Sequence, residues 1–230
     1  MKYLFLLAGL SLLGCGSQQN DSEVNALQSI SGKAEGLQKN YYDDGTLKNE
    51  VTYVAGKRNG PARQFYKNGK PESEINYKDN KKDGPSKWYY EDGLLYQEIS
   101  YSEGQKHGKE IKYHNSRRKM AELSWKNDEP LPGLVEYDYN GKALRQPYIV
   151  VSGSGKLEIK LSNGDEKVKF YLGKLEENQT LVEAGLQELD TQAGVAYYKP
   201  KAGEKSVELV AFRKTAMRNP QILTLSYPIP

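Results

Sequence analysis

Apolar and polar residues alternate in short runs along residues 36–148. In the run Glu72 to Tyr77, Ile75 and Tyr77 fall on one side of an extended chain, and Glu74 and Asn76 fall on the other. A second run ends at Phe65-Tyr66, and Lys67-Asn68-Gly69 separates the two. Asn-Gly accepts the positive φ of a tight turn, so the two runs read as a β-hairpin. The polar stretch from Lys78 to Gly84 reads as the return turn. This arrangement recurs five times with a period of 24 residues. Val51, Ile75, Ile99 and Leu123 form one column, and Tyr53, Tyr77, Tyr101 and Trp125 form a second. Tyr41, Phe65, Tyr89, Tyr113 and Tyr137 form a third, aromatic in every unit. All three columns are expected on one packed face. A repeat of this length predicts stacked units, each burying its apolar side against its neighbours. Five hairpins predict about ten antiparallel strands, on the order of 45 Å across at ~4.8 Å per strand.

The later units depart from the pattern. Arg117 stands where the other hairpin turns have Gly45, Gly69, Gly93 and Gly141. Pro132 stands where the return turns have Gly60, Gly84 and Gly108, with Gly133 one residue late. Beyond Tyr148 the period stops, and strands are expected at 148–151, 156–161, 166–172, 194–198, 206–213 and 222–227. Asn163-Gly164 is expected to close a hairpin between the second and third of these. Residues 180–189 read equally as a short helix or a strand. Ser152-Gly153-Ser154-Gly155 reads as a linker or turn. Six or seven short strands predict a small β-sandwich of immunoglobulin or fibronectin type. The expected fold is therefore all-β, with an extended antiparallel β-hairpin repeat sheet followed by a small β-sandwich.

The first residues have a different character. Met1-Lys2 precedes an apolar run from Tyr3 to Leu13, followed by Gly14-Cys15. A positive start, a short apolar core and a small residue before the cut describe a secretory signal. The run is short for a membrane span. Leu12-Leu13-Gly14-Cys15 resembles the bacterial lipobox, in which cleavage exposes a cysteine that then carries lipid. Acyl chains such as palmitate on Cys15 would anchor the chain, each buried CH₂ contributing about 0.8 kcal/mol. The expected organisation is a signal peptide over 1–14, a lipidated cysteine and flexible tether over 15–35, five hairpin repeats over 36–148, and the sandwich over 149–230. No aspartate follows Cys15 directly, so the anchor is expected in the outer membrane, facing the periplasm or the cell surface.

Composition narrows the chemistry. Mean hydropathy is −0.79, and 37% of residues are hydrophobic, which suits a thin sheet with a wet face better than a thick core. The 33 basic and 30 acidic residues nearly balance, so no nucleic-acid partner is expected. The single cysteine excludes an intrachain disulfide. His107 and His114 have no spaced His or Cys partner, so neither a metal site nor a cofactor is expected. No nucleophile elbow or P-loop occurs, and no catalytic residue is assigned. Glu50, Glu74, Glu98 and Glu122 form a carboxylate column. Equivalent positions lie two strands apart, too far to share an ion, so the column reads as a solvated ladder pairing with Lys and Arg.

Tyrosine is abundant, with 18 Tyr against 4 Phe, and it joins apolar area to a polar tip. Tyr42, Tyr66 and Tyr90 form a column, and Trp88 lies beside it at a position otherwise held by Asn40, Gln64, Lys112 and Glu136. These four aromatics make a candidate strip for a protein, glycan or lipid headgroup. Cross-strand aromatic packing is the alternative reading.

The period, the phrase Tyr66-Lys67-Asn68-Gly69-Lys70 and the stretch Tyr77 to Gly84 resemble the second variant of the MORN repeat. They are similar to the arrays of the YwqK-like antitoxin family. The resemblance covers Gly36 to about Tyr148. It implies a hairpin array, and in the YwqK-like branch it implies binding and neutralising a toxin. The expected function is a non-catalytic binding or scaffold module in the bacterial envelope. It would be membrane-held through Cys15, with a protein or other envelope component as partner. A toxin-neutralising immunity protein is the alternative, and an envelope-polymer hydrolase the second.

Overall fold

The computed structural model describes residues 34–229. The expected signal peptide, Cys15 and most of the expected tether therefore lie outside the described residues.

Eight strands run in simple up-and-down order: β1 (Gly36–Tyr41), β2 (Leu47–Val54), β3 (Lys57–Phe65), β4 (Pro71–Lys78), β5 (Lys81–Tyr89), β6 (Leu95–Ser102), β7 (Gln105–Tyr113) and β8 (Lys119–Lys126). Two short pieces, β9 (Glu129–Pro130) and β10 (Val135–Glu136), pair with β8 and complete a ten-stranded antiparallel sheet. The fifth hairpin is thus reduced. Residues 131–134 interrupt its first strand, and a single bridge between Tyr137 and Ala143 replaces its second. Each complete hairpin also carries a register shift, at Asn40/Tyr41, Gln64/Phe65, Trp88/Tyr89 and Lys112/Tyr113. Such bulges increase strand twist.

Directly paired residues share a face, so the register sorts the columns. Ala62 pairs with Ile75, Ile75 with Ser86, Ser86 with Ile99, Ile99 with Glu110 and Glu110 with Leu123. Tyr77, Tyr101 and Trp125 share this face through Gly60, Gly84 and Gly108. We call it the inner face. The aromatic column of Tyr89, Tyr113 and Tyr137 does not join it, contrary to the sequence expectation. These hydroxyls donate to Glu74, Glu98 and Glu122 on the opposite, outer face. The physical reason is the period of two: the third column occupies strand positions of the other parity.

Burial on the inner face deepens along the array. Val51 and Ile75 are half-buried, whereas Ile99 is 2% and Leu123 4% exposed. Ala121, Leu123, Leu134 and Trp125 form a small apolar cluster at the end.

The C-terminal strands are β11 (Ile149–Ser152), β12 (Leu157–Leu161), β13 (Val168–Leu172), β14 (Gln187–Glu188), β15 (Thr191–Gln192), β16 (Val195–Tyr198), β17 (Ser206–Lys214) and β18 (Pro220–Pro228). They form two four-stranded sheets, ordered β11-β12-β16-β15 and β14-β13-β17-β18. In chain order this is the A-B-E-D against C′-C-F-G arrangement of an immunoglobulin-type sandwich. Leu157, Ile159, Leu161 and Ala196 of one sheet meet Val168, Phe170, Leu209 and Ala211 of the other in a single core. The hairpin expected at Asn163-Gly164 is not formed. β12 and β13 lie in different sheets, and residues 162–167 carry the chain across the core. Both strands alternate correctly for a hairpin, but each turns its apolar side inward from an opposite layer. The ambiguous segment at 180–189 holds a single helical turn, α1 (Leu181–Ala184), followed by β14. Thr180 and Glu183 form a reciprocal capping box at its start.

The sandwich meets the last repeats through polar groups. Thr215 Oγ1 and Asn219 Nδ2, at the turn between β17 and β18, donate to the Glu136 carboxylate at 2.6 and 2.7 Å. Lys112 Nζ donates to Asn219 Oδ1 at 2.7 Å. Lys126 on β8 pairs with Glu183 of α1 at 2.7 Å. Glu136, Thr215 and Asn219 are buried in this junction. Lys112 and Glu136 belong to the inner-face column that contains Gln64 and Trp88. The sandwich therefore covers the end of the inner face and leaves its beginning open.

Candidate functional site

The open part of the inner face lies on β1–β6 and reaches Lys106 at the start of β7, whose side chain is 32% exposed. Its floor is Val51, Ile75 and the rings of Tyr53 and Tyr77, all half-buried. Amides border it: Asn40 Nδ2 donates to Asn49 Oδ1 at 2.8 Å, and Gln64 and Ser73 face each other across β3 and β4. These groups line a shallow groove of about 270 Å³.

A cation stands over each ring of the following hairpin. The Arg58 guanidinium lies 4.2 Å from the Tyr77 ring centre, Lys82 Nζ 4.8 Å from Tyr101, and Lys106 Nζ 4.2 Å from Trp125. Arg58 is also paired across the hairpin with Tyr53, Lys82 with Tyr77, and Lys106 with Tyr101. Cation–π attraction holds each charge in place without neutralising it. Lys106 has Glu110 at 3.9 Å. Among the described residues no ion pair joins Arg58 or Lys82 to a carboxylate. Burial first, then repulsion from Lys106 and Arg58, lowers the Lys82 pKa. This row was not singled out from sequence, although its signal is present. Positions 58, 82 and 106 form a basic column, and each precedes its aromatic partner by 19 residues.

The sequence-predicted strip divides into two parts. The Tyr42, Tyr66 and Tyr90 hydroxyls donate at 2.7 Å to the main-chain oxygens of Phe65, Tyr89 and Tyr113, each one hairpin further on. They form a series of clasps between successive hairpins. His114 holds the same position and reaches the Tyr137 carbonyl at 3.5 Å. Tyr90 also meets Tyr96 edge-on, with ring centres 5.1 Å apart. Trp88 stands in a separate column, paired with Ser73 and Gln97, with Lys82 Nζ 5.6 Å from its ring. These hydroxyl-to-backbone bonds are a different link from the cross-strand aromatic packing weighed as the alternative for the tyrosines.

The glutamate column forms the expected ladder on the outer face. Arg63 bridges Glu50 at 2.9 Å and Glu74 at 3.6 Å, and Lys119 pairs with Glu122 at 2.9 Å. The tyrosine partners were not foreseen, although each lies 15 residues after its glutamate. Burial, followed by the bond to Glu98, pushes the Tyr113 hydroxyl up to about 12. Tyr137 and Lys119 hold Glu122 below the usual carboxylate range.

Glu110 is the exception to a wet sheet. It is 1% exposed and accepts from Trp125 Nε1 and Gln97 Nε2, each at 2.6 Å, with Lys112 Nζ at 3.3 Å. These bonds stabilise its charge against burial. The group is a structural link between repeats and the sandwich junction. Among the described residues no cluster of three or more His, Cys, Asp or Glu has metal-site geometry. None of their helices is long and apolar enough to cross a membrane.

Comparison with known proteins adds one finding to this geometry. No curated protein matches the sequence. Residues 34–55, 58–79 and 82–103 each match the family model of the MORN repeat variant. The three matched stretches are the hairpins that carry the open inner face, so this part of the chain is a tandem array of MORN-type repeats.

Proposed function

We propose that this chain is an exported bacterial lipoprotein, anchored through acyl chains on Cys15 in the outer membrane. Its repeat array serves as a non-catalytic binding module that captures an envelope component. The observation that carries this reading is the division of the inner face. The last repeats are covered by the chain's own sandwich, held on Lys112 and Glu136. The matched repeats leave Val51, Ile75, Tyr77 and Trp88 only half-buried. A grooved sheet face with aromatic, amide and cationic groups suits recognition. The sandwich acts as a spacer and cap.

Proximity labelling and crosslinking in the native envelope test the reading, with wild type compared against Cys15→Ser and Trp88→Ala. A defined component captured by wild type and lost from both variants is expected. Equal capture by Trp88→Ala would remove this face from the site. Equal capture by Cys15→Ser would remove the anchor. Tyr42, Tyr66 and Tyr90 join the proposed site as its rim. Trp88 is the cleaner probe because those tyrosines also hold the hairpins together.

A further inference from the structure

Arg58, Lys82 and Lys106 recur at one position of successive hairpins, two strands apart. At the usual strand separation this spaces the charges by roughly 9–10 Å. Each is seated on an aromatic ring, so little side-chain freedom remains to be lost when a ligand binds. Lys82 is partly desolvated and repelled by both of its neighbours in the row. Lys106 has Glu110 at 3.9 Å, whereas Arg58 and Lys82 pair with no carboxylate among the described residues, so the row carries positive potential uncompensated at those two positions, which a matching anion would relieve. Amide and hydroxyl side chains at Asn40, Asn49, Gln64 and Ser73 line the same groove as Arg58, at the first end of the row.

We infer that the inner face of the MORN-type repeats binds a linear acidic polysaccharide, with one carboxylate on each of Arg58, Lys82 and Lys106 and its hydroxyl groups on the amides of this groove. The inference rests on the binding-module reading and names the ligand class for the same face.

Charge density selects this occupant. Nucleic acid carries a charge about every 3.4 Å along each strand, and a row with one cation per two strands leaves most of those charges unpaired. A glycan with one carboxylate per disaccharide repeats its charge at nearly the interval of the hairpins. Its uncharged hydroxyls need the hydrogen-bonding amides present here, and its sugar faces suit the Trp88 ring beside Lys82. The sandwich docks on Lys112 and Glu136, so the row ends where the covered face begins.

The test is a titration of the full chain in detergent with hyaluronan oligosaccharides, which bear one carboxylate per disaccharide. Neutral dextran and a single-stranded oligonucleotide serve as comparisons. Binding of hyaluronan that weakens with salt, with little binding of dextran or the oligonucleotide, is expected. The triple variant Arg58→Gln, Lys82→Gln, Lys106→Gln should lose affinity by about tenfold or more. The double variant Lys87→Gln, Lys109→Gln, on the outer face, should keep it. Denaturation midpoints confirm that each variant is folded. An absence of hyaluronan binding overturns the inference, as does equal loss in the outer-face variant. Equal or tighter binding of the oligonucleotide replaces the glycan with a nucleic acid and also overturns it. If hyaluronan fails while Trp88-dependent capture in the envelope persists, the binding-module reading survives and only the ligand class falls.

Discussion

In the sandwich, Phe170, Ile159 and Ala211 are fully enclosed between two sheets. In the first repeats, Val51 and Ile75 have a floor of strands beneath them and solvent above. Both regions are built from short alternating strands, yet only one has a second layer. The sandwich draws its stability from apolar burial. The array relies on links made once per hairpin: tyrosine clasps, a glutamate–tyrosine ladder and cations over rings. A one-layer repeat leaves a broad face free for a ligand, whereas a closed sandwich uses its inner faces on itself.

This contrast can be broken most directly in the two interiors. Phe170→Ala should cost about 3–5 kcal/mol in chemical denaturation. Ile75→Ala, at a half-buried site, should cost clearly less, at about 1–2 kcal/mol. Equal losses would show that the array has a core as effective as the sandwich.

The junction sharpens the comparison. Asn219→Ala removes one donor to buried Glu136 and the acceptor for Lys112, for an expected cost of about 1–3 kcal/mol. Differential scanning calorimetry should then resolve two unfolding transitions, one per region. A single cooperative transition would mean that other contacts couple them.

The clasps and the tyrosine ladder come next. Tyr66→Phe deletes one inter-hairpin hydrogen bond and should cost about 0.5–1.5 kcal/mol, read as a denaturation midpoint. Tyr113 supplies a pH test. Its hydroxyl ionises at 10.0 when unfolded and at about 12 when folded, so the native state holds this proton more tightly. Its contribution is complete below pH 10 and is lost as pH rises toward 12. Tyr113→Phe should flatten the alkaline fall in stability across that window. An unchanged slope would assign the fall to the other tyrosines.

Arg117 gives the smallest effect, in the opposite direction. It has φ 65° where Gly45, Gly69, Gly93 and Gly141 have φ 79–88°. A Cβ would meet nothing within 4 Å at Gly45 or Gly69 and only the flexible Lys70 and Arg118 side chains, at 3.2 and 3.4 Å, at Gly93 and Gly141, so the cost at this turn is mainly backbone strain. Arg117→Gly should raise stability by about 0.5–1 kcal/mol, measured by urea titration. A loss would indicate that the guanidinium contributes to the shallow pocket it lines with Tyr89, Leu95 and Tyr113.

Much of the fold was legible because its signals are local. The 24-residue period, the turn glycines and the alternation at Ile75 and Tyr77 depend on neighbours in sequence, and they specify hairpins and their order. The glutamate ladder followed from spacing alone. The inner-face row was less visible, because Arg58 and Tyr77 look unrelated until strand register brings them together.

Other features depended on long-range pairing. Local alternation is the same whether β12 and β13 form a hairpin or cross between sheets, and the shared core around Phe170 decides between them. Which aromatic column faces inward was set by strand parity together with the recurrent bulges. Docking of the sandwich on Lys112 and Glu136 joins residues as far apart as 107 positions. The sequence alone determined the repeat, its turns and an all-β fold, because those are properties of contiguous residues. Tertiary structure alone decided which face is covered and which remains open, because that follows from two distant surfaces meeting.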